Sequence, residues 1–111
     1  MRRSDLGEFE EIVLLAVAAL SPNAYTIAIA EELERETGNI VTSGAVHASM
    51  QRLEQKGYLR SVWGEATSER GGRRKRLYAV TALGGRVLEE SRAVRNRLWD
   101  RILPVIRLEW N

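Results

Sequence analysis

Apolar residues recur every three or four positions in two stretches of the N-terminal part of the chain. The first stretch runs from Leu6 to Leu20 and the second from Thr26 to Thr37. Because this spacing gathers apolar side chains on one side of an α-helix, it predicts two amphipathic helices. Pro22 disfavours helix in the residue before it, and Gly38 permits the left-handed backbone that ends a helix. We therefore expect a turn around Pro22 and a helix end at Gly38 or Asn39.

The stretch TSGAVHASMQRLEQKGYL, residues 42–59, predicts a third helix whose two sides differ in chemistry. Thr42 or Ser43 can cap its start, and it runs to about Lys56, where Gly57 ends it. One side, which we expect to face the core, carries Val46, Met50 and Leu53. The other side is small and polar, with Gly44, His47, Ala48, Gln51 and Gln55. This side lacks the Glu–Lys pairs typical of a solvated helix, so we predict that it lies against a partner.

Beyond Gly57 apolar and polar residues alternate, which is typical of β-strands. Residues 58–63 and 77–80 are predicted to be two paired strands, with Trp63 as a hairpin aromatic packed on the domain. The segment between them, GEATSERGGRRKR, contains two adjacent glycines that permit a tight reversal. Five of its last seven residues, Arg70 to Arg76, are Lys or Arg. We therefore expect a hairpin with a strongly basic tip.

The last part of the chain predicts one long helix, capped by Thr81, with an apolar stripe along most of its length. Pro104 is expected to kink or end the regular helix near Ile102. A terminal helix this apolar has more hydrophobic surface than one neighbour covers, which indicates a second subunit. The residues predicted to form the interface of a homodimer are Val87, Val94, Leu98, Trp99, Ile102 and Ile106.

The order of these elements is helix, helix, helix, strand, basic turn, strand and long helix, which is that of a winged helix-turn-helix. We therefore predict a mainly α fold with a small β-hairpin. Residues 1–80 are expected to form the winged helix-turn-helix DNA-binding domain, and residues 81–111 the C-terminal dimerisation helix.

Composition narrows the classes of protein that remain. A chain of 111 residues with 44% hydrophobic content can bury one core. The absence of cysteine excludes disulfides, thiol nucleophiles and cysteine-based zinc sites. No apolar run approaches the ~20 residues that a membrane span needs. We expect a cytoplasmic protein without a membrane partner.

Charge is divided unevenly along the chain, although the net value is only +2. Residues 1–40 carry three Lys or Arg against eight Asp or Glu, a net −5, whereas residues 41–80 carry eight against three, a net +5. The middle of the chain therefore attracts a polyanion. The residues predicted to contact double-stranded DNA are Ser43, Gly44, His47, Ala48, Gln51 and Arg52 on the third helix and Arg73, Arg74, Lys75 and Arg76 in the hairpin. A two-fold dimer would require an inverted-repeat operator.

His47 is the only histidine of the chain. A zinc site or a catalytic triad requires further ligands or a nucleophile at defined spacing, so contact with DNA is favoured over either role. An ordinary surface position stays open. No metal, cofactor or enzymatic activity is expected. A phosphate loop requires glycines directly before a helix, whereas Gly71 and Gly72 lie in the predicted hairpin. A winged-helix module that binds protein instead of DNA is the alternative.

Four segments, LGEFEEIVLLAV (6–17), SGAVHASMQRLEQKGYL (43–59), ERGGRRKRLYAVTALG (69–84) and RVLEESR (86–92), cover most of residues 6–92. In combination they resemble the PadR-like family of prokaryotic winged-helix transcriptional regulators, in its branch with a short C-terminal helix. The resemblance implies a homodimer held by that helix, DNA binding through the third helix and the hairpin, and repression relieved by a small molecule or other signal.

Two positions differ from the family pattern. The family usually carries a DNA-facing tyrosine at the position of His47. Some ligand-binding members stack flat drugs on a tryptophan of the dimer helix, and Trp99 lies on the same element about one turn further along. The resemblance therefore makes Trp99 the candidate contact for a small aromatic effector.

Overall fold

The computed structural model describes residues 6–66 and 74–110, without the side chains of residues 65, 66 and 107–110. Its elements in chain order are the helices α1 Glu8–Leu20, α2 Thr26–Thr37 and α3 Ser43–Gln55, the strands β1 Leu59–Ala66 and β2 Arg74–Val80, and the helix α4 Ala82–Trp110. The predicted fold class is confirmed, because four helices and one antiparallel hairpin follow in the expected order.

The ends of the first three helices are set by specific residues. Helix α1, predicted to start at about Leu6, begins at Glu8, because Gly7 is the N-cap and donates its N–H to Glu10 Oε1 at 3.0 Å. Thr42 caps α3, with its Oγ1 accepting the Ala45 N–H at 3.1 Å. Gly38 ends α2 as predicted, at a φ of 74° that only glycine adopts readily.

The core lies where α1 packs against α2, α3, β2 and α4. Large apolar side chains without any exposed surface come from the first three helices and are Val13, Leu14, Val17, Ile29, Val46, Met50 and Leu53. Each such burial stabilises the fold by roughly 1.5–3 kcal/mol. Since three of these residues belong to α3, the core fixes which side of α3 faces outward.

The hairpin is longer than predicted. Leu59 is opposite Val80, Trp63 is opposite Arg76, and the register shifts before Ala66 meets Arg74. The residues Arg74 to Arg76 therefore belong to β2 and not to the turn. Trp63 is 58% exposed, so the expectation that it packs on the domain is wrong. Trp63 lies beyond the part of the sheet that covers the core. The centroid of its ring is 5.8 Å from the guanidinium carbon of Arg76.

Helix α4 begins inside the core and ends outside it. Gly84 lies so close to the end of α3 that a Cβ there would come within 2.3 Å of the Tyr58 carbonyl oxygen. Val87 is only 7% exposed. Pro104 was expected to kink or end the helix near Ile102, and it does not end it, because α4 continues to Trp110. Proline removes the one hydrogen bond to the Asp100 carbonyl, and both residues are exposed, so water can replace the lost donor.

Candidate nucleic-acid interface

The outward side of α3 consists of the residues that the sequence predicted. Ser43, Gly44, His47 and Gln51 are exposed and Ala48 is half-buried, whereas Val46, Met50 and Leu53 on the opposite side are fully buried. A Cβ at Gly44 would meet no atom within 4 Å. The helix therefore presents a low, polar surface that another molecule can approach closely, with hydrogen-bonding groups at His47 and Gln51.

Arg52 was predicted to contact DNA, but the structure gives it an intramolecular partner. Its Nε donates to Glu10 Oε2 at 2.9 Å, and a terminal nitrogen donates to Ser49 Oγ at 3.1 Å. About half of the side chain is exposed, yet its hydrogen-bonding edge is directed toward α1. Arg52 therefore connects α3 to α1, and this connection competes with any contact to DNA.

Glu10 is the residue of this region that sequence reasoning missed. It is 7% exposed and also accepts a hydrogen bond from Lys56 Nζ at 2.8 Å. Burial raises the pKa of Glu10, but the hydrogen bonds from Lys56, the Gly7 N–H and Arg52 outweigh it and lower the pKa to about 2. The carboxylate therefore stays charged and holds the last turn of α3 against the start of α1.

A signal for Glu10 exists in the sequence. Val13, Leu14 and Val17 follow it at positions i+3, i+4 and i+7, so Glu10 lies on the buried side of α1. A carboxylate at a core-facing position requires cationic partners. The pattern does not reveal that those partners lie on α3.

The described basic residues of β2, Arg74, Lys75 and Arg76, are exposed. Arg74 donates from Nε to the Gly64 carbonyl at 3.0 Å across the hairpin, and Lys75 Nζ is 4.1 Å from the centroid of the Tyr25 ring. Arg76 Nε donates to Ser61 Oγ at 3.0 Å. Arg73, Gly71 and Gly72 lie outside the described residues.

Tyr78 anchors the same strand from the buried side of the hairpin. Its backbone N–H donates to the Ala24 carbonyl at 2.8 Å, which joins β2 to the loop between α1 and α2. Burial raises the pKa of its hydroxyl, and the positive charge of Arg76 opposes the rise. The hairpin is thus attached to the helical core at its base.

The residues predicted for the dimer interface fall into two groups. Val87 belongs to the core of its own chain, so the prediction that it contacts a partner is not supported by its position. Val94 and Ile106 are half-buried, and Leu98, Trp99 and Ile102 are exposed. Core and outer residues share one stripe because α4 passes from the domain into solvent.

A groove of about 380 Å³ lies between α1 and α4, with Trp99 at one end. Leu15 of α1, which sequence reasoning did not single out, lines it and is 48% exposed. Glu11 fixes the two helices beside it, accepting hydrogen bonds from Ser91 Oγ at 2.6 Å and from Arg95 at 2.7 Å. The groove therefore combines an apolar floor with an ion pair.

The sequence profile of the transcriptional regulator PadR-like family matches residues 14–90 of the chain. This match covers α1 from Leu14, all of α2 and α3, the hairpin and the start of α4. The chain belongs to the PadR-like family. Members of this family are transcriptional regulators. Among curated proteins, none matches the sequence at a significant level.

Solved structures share the fold of this PadR-like protein. A PadR-like transcription factor from Bacteroides fragilis has 22% sequence identity and a TM-score of 0.69, over 87% of this chain and 88% of its own. A PadR family regulator from Eggerthella lenta has 28% identity and a TM-score of 0.64, over 89% and 86%. FabT from Streptococcus pneumoniae, solved in complex with DNA, has 22% identity and a TM-score of 0.63, over 90% of this chain and 62% of its own.

Two structural absences apply to residues 6–66 and 74–110 only. Within them, no three His, Cys, Asp or Glu residues converge as ligands for a metal ion. No helix in this part of the PadR-like chain is both long and apolar enough to cross a membrane.

Proposed function

We propose that this PadR-like protein is a sequence-specific DNA-binding repressor that acts in the cytoplasm as a homodimer and has no enzymatic activity. The observation that carries the proposal is the orientation of α3. Val46, Met50 and Leu53 are fully buried, so the small polar side with His47 and Gln51 is held outward. A helix that enters a major groove needs small residues where the backbone comes close and hydrogen-bonding side chains at the base edges.

The roles of α3 and the hairpin differ in this proposal. Ser43, Gly44, His47, Ala48 and Gln51 contact base edges and nearby phosphates, and so determine the preferred sequence. The basic residues Arg73, Arg74 and Lys75 contact the DNA backbone and contribute affinity without much sequence information. The likeness to FabT, which was solved in complex with DNA, supports the use of this fold on DNA.

The homodimer is proposed to form through α4, with residues 1–80 as the DNA-binding part and residues 81–111 as the dimerisation part. Leu98, Trp99 and Ile102 support this division, because they are apolar and exposed in the single chain. Two-fold symmetry would place two α3 helices about 34 Å apart, one turn of DNA, so the operator should be an inverted repeat.

Relief of repression is proposed to involve the groove between α1 and α4. Its apolar floor and the indole of Trp99 suit a small, flat aromatic effector. An effector bound there would lie against Glu11 and Arg95, which join α1 to α4.

The test is a titration of the protein into a fluorescent duplex from the promoter beside its own gene, with a scrambled duplex as control. We expect tighter binding to the promoter than to the scrambled duplex, and affinity that falls steeply as salt increases, because released counterions accompany each phosphate contact. Equal binding to both duplexes at all salt concentrations would contradict sequence-specific binding, and binding to neither duplex would favour the protein-interaction module.

A further inference from the structure

Arg76 belongs to a hydrogen-bonded network that connects the hairpin to α3. Its Nε donates to Ser61 Oγ at 3.0 Å, and this hydroxyl donates to Glu54 Oε2 at 2.9 Å. A terminal nitrogen of Arg76 lies 3.8 Å from the same carboxylate oxygen. One residue from each of β2, β1 and α3 therefore meets at a single point.

Aromatic rings restrict the Arg76 guanidinium from other directions. Its central carbon lies 5.8 Å from the centroid of the Trp63 ring and 5.9 Å from that of Tyr78. Such contacts stabilise a cation by about 0.5–1 kcal/mol where the pair is exposed. They also give a physical reason for Trp63, an exposed tryptophan whose ring covers one side of this arginine.

The other basic residues described in β2 have different surroundings. Arg74 donates to a backbone carbonyl within the hairpin, and Lys75 lies over the ring of Tyr25. Among the side chains that the structure describes, which do not include that of Glu65, no carboxylate lies within 4 Å of either cation. No described carboxylate therefore opposes their positive charge, whereas that of Arg76 is opposed by Glu54.

Glu54 explains why a cation is needed at this place. It lies seven residues after His47, and therefore on nearly the same side of α3, and three residues after Gln51. An unpaired carboxylate on this side would repel the phosphates of bound DNA. The positive charge of Arg76 offsets that repulsion. If Arg76 moved away to contact a phosphate, the unpaired carboxylate of Glu54 would repel the DNA.

We infer that Arg76 is a positioning residue, which fixes the hairpin against α3 through Ser61 and Glu54, and is not one of the phosphate contacts of the hairpin. The inference rests on the proposed function, since it concerns how the two DNA-contacting elements are held. Fixing their relative position before binding reduces the entropy that is lost when both engage one duplex. It also revises the prediction from sequence, which grouped Arg76 with Arg73, Arg74 and Lys75.

The experiment compares salt dependence in variants with matched charge. Glu54→Gln combined with Arg76→Gln removes one acid and one base, so the net charge of the protein is unchanged. We expect this double variant to bind the promoter duplex roughly 3- to 10-fold more weakly, because immobilising an unrestrained side chain on binding costs about 0.5–1.5 kcal/mol. The slope of log affinity against log salt should equal that of the unaltered protein. Arg74→Gln is the control, and it should make this negative slope shallower by about 0.9.

Each contrary result has a distinct meaning. A slope lower by about one in the double variant would show that Arg76 contacts a phosphate, and would overturn this inference alone. An unaltered protein that binds DNA without salt dependence would overturn the proposed function and this inference with it. If the double variant does not fold, Ser61→Ala keeps both charges and removes the bridge. It should weaken binding about 3-fold at an unchanged slope, and undiminished affinity would overturn the inference.

Discussion

Replacing Glu10 by glutamine tests how α3 is held to the rest of the domain. Glu10 is buried and accepts hydrogen bonds from Lys56 at 2.8 Å and from Arg52 at 2.9 Å. These bonds lower its pKa from 4.5 to about 2. A shift of that size corresponds to about 3 kcal/mol of stability at neutral pH. Because Arg52 is exposed, solvent screens its interaction with Glu10 and reduces its contribution to this stability. We therefore expect Glu10→Gln to lower the free energy of unfolding by about 2–3 kcal/mol.

The sign of the pH dependence follows from the direction of the shift. The pKa of Glu10 is lower in the folded state than in the unfolded state, so its contribution is fully present above about pH 4.5 and decreases as the pH falls toward 2. From these two values, the unaltered protein should lose about 2 kcal/mol of this contribution between about pH 7 and about pH 3. The glutamine variant lacks the titrating group. The difference in stability between the two proteins should therefore become smaller in acid.

The assay is urea unfolding followed by circular dichroism at both pH values. Glu31→Gln is the matched control, because Glu31 is an exposed residue of α2 and its loss should change stability by less than about 0.5 kcal/mol. A difference in stability between the unaltered protein and Glu10→Gln that was the same at both pH values would show that the charge of Glu10 is not the source of that stability. So would a variant as stable as the control at neutral pH.

Two further predictions concern α4. Gly84→Ala should destabilise the protein by about 1–3 kcal/mol, because its Cβ would lie 2.3 Å from the Tyr58 carbonyl oxygen. Gly85→Ala should stabilise it by about 0.5–1 kcal/mol, since that Cβ meets no atom within 4 Å. If thermal unfolding showed that both variants change stability in the same direction, this packing of α4 would be contradicted. If the protein forms the proposed dimer through α4, Leu98→Asp should shift it from dimer to monomer in sedimentation equilibrium without loss of helix content, because Leu98 is 52% exposed in the single chain. A dimer as strong as that of the unaltered protein would place the interface elsewhere.

Local pattern was sufficient to predict the helices and the outward side of α3. The period of the apolar residues placed Val46, Met50 and Leu53 inward, and glycine chemistry placed the end of α2 at Gly38. Both features depend on interactions within a few residues. The family resemblance is confirmed over residues 14–90 for the same reason, since its segments are continuous in sequence.

Contacts between distant residues could not be predicted from the sequence. Glu10 meets Arg52 and Lys56 across 42 and 46 positions, and only the packing of α1 on α3 brings them together. The pairing of Arg76 with Glu54 depends on the register of the hairpin, which a pattern of alternation leaves open. These two contacts change the reading of the site, because they show that two of the predicted DNA contacts, Arg52 and Arg76, are engaged within the protein.

The stripe of α4 could not be divided by its period alone. Val87 and Leu98 belong to the same periodic row of apolar residues, yet Val87 lies in the core and Leu98 is exposed to solvent. The difference arises because α4 passes close to Tyr58 at Gly84 and then extends beyond the domain. A helical period indicates which side is apolar and does not indicate what covers it.

The most direct test of the central claim is selection of bound sequences from a random DNA library by the unaltered protein, Gln51→Ala and Arg74→Ala. The unaltered protein should enrich an inverted repeat with half-sites about 10 base pairs apart. Gln51→Ala should alter the preferred base at one position of each half-site, whereas Arg74→Ala should enrich the same motif with lower affinity. Enrichment of no motif by the unaltered protein, or of an identical motif by Gln51→Ala, would contradict the claim that α3 determines sequence preference.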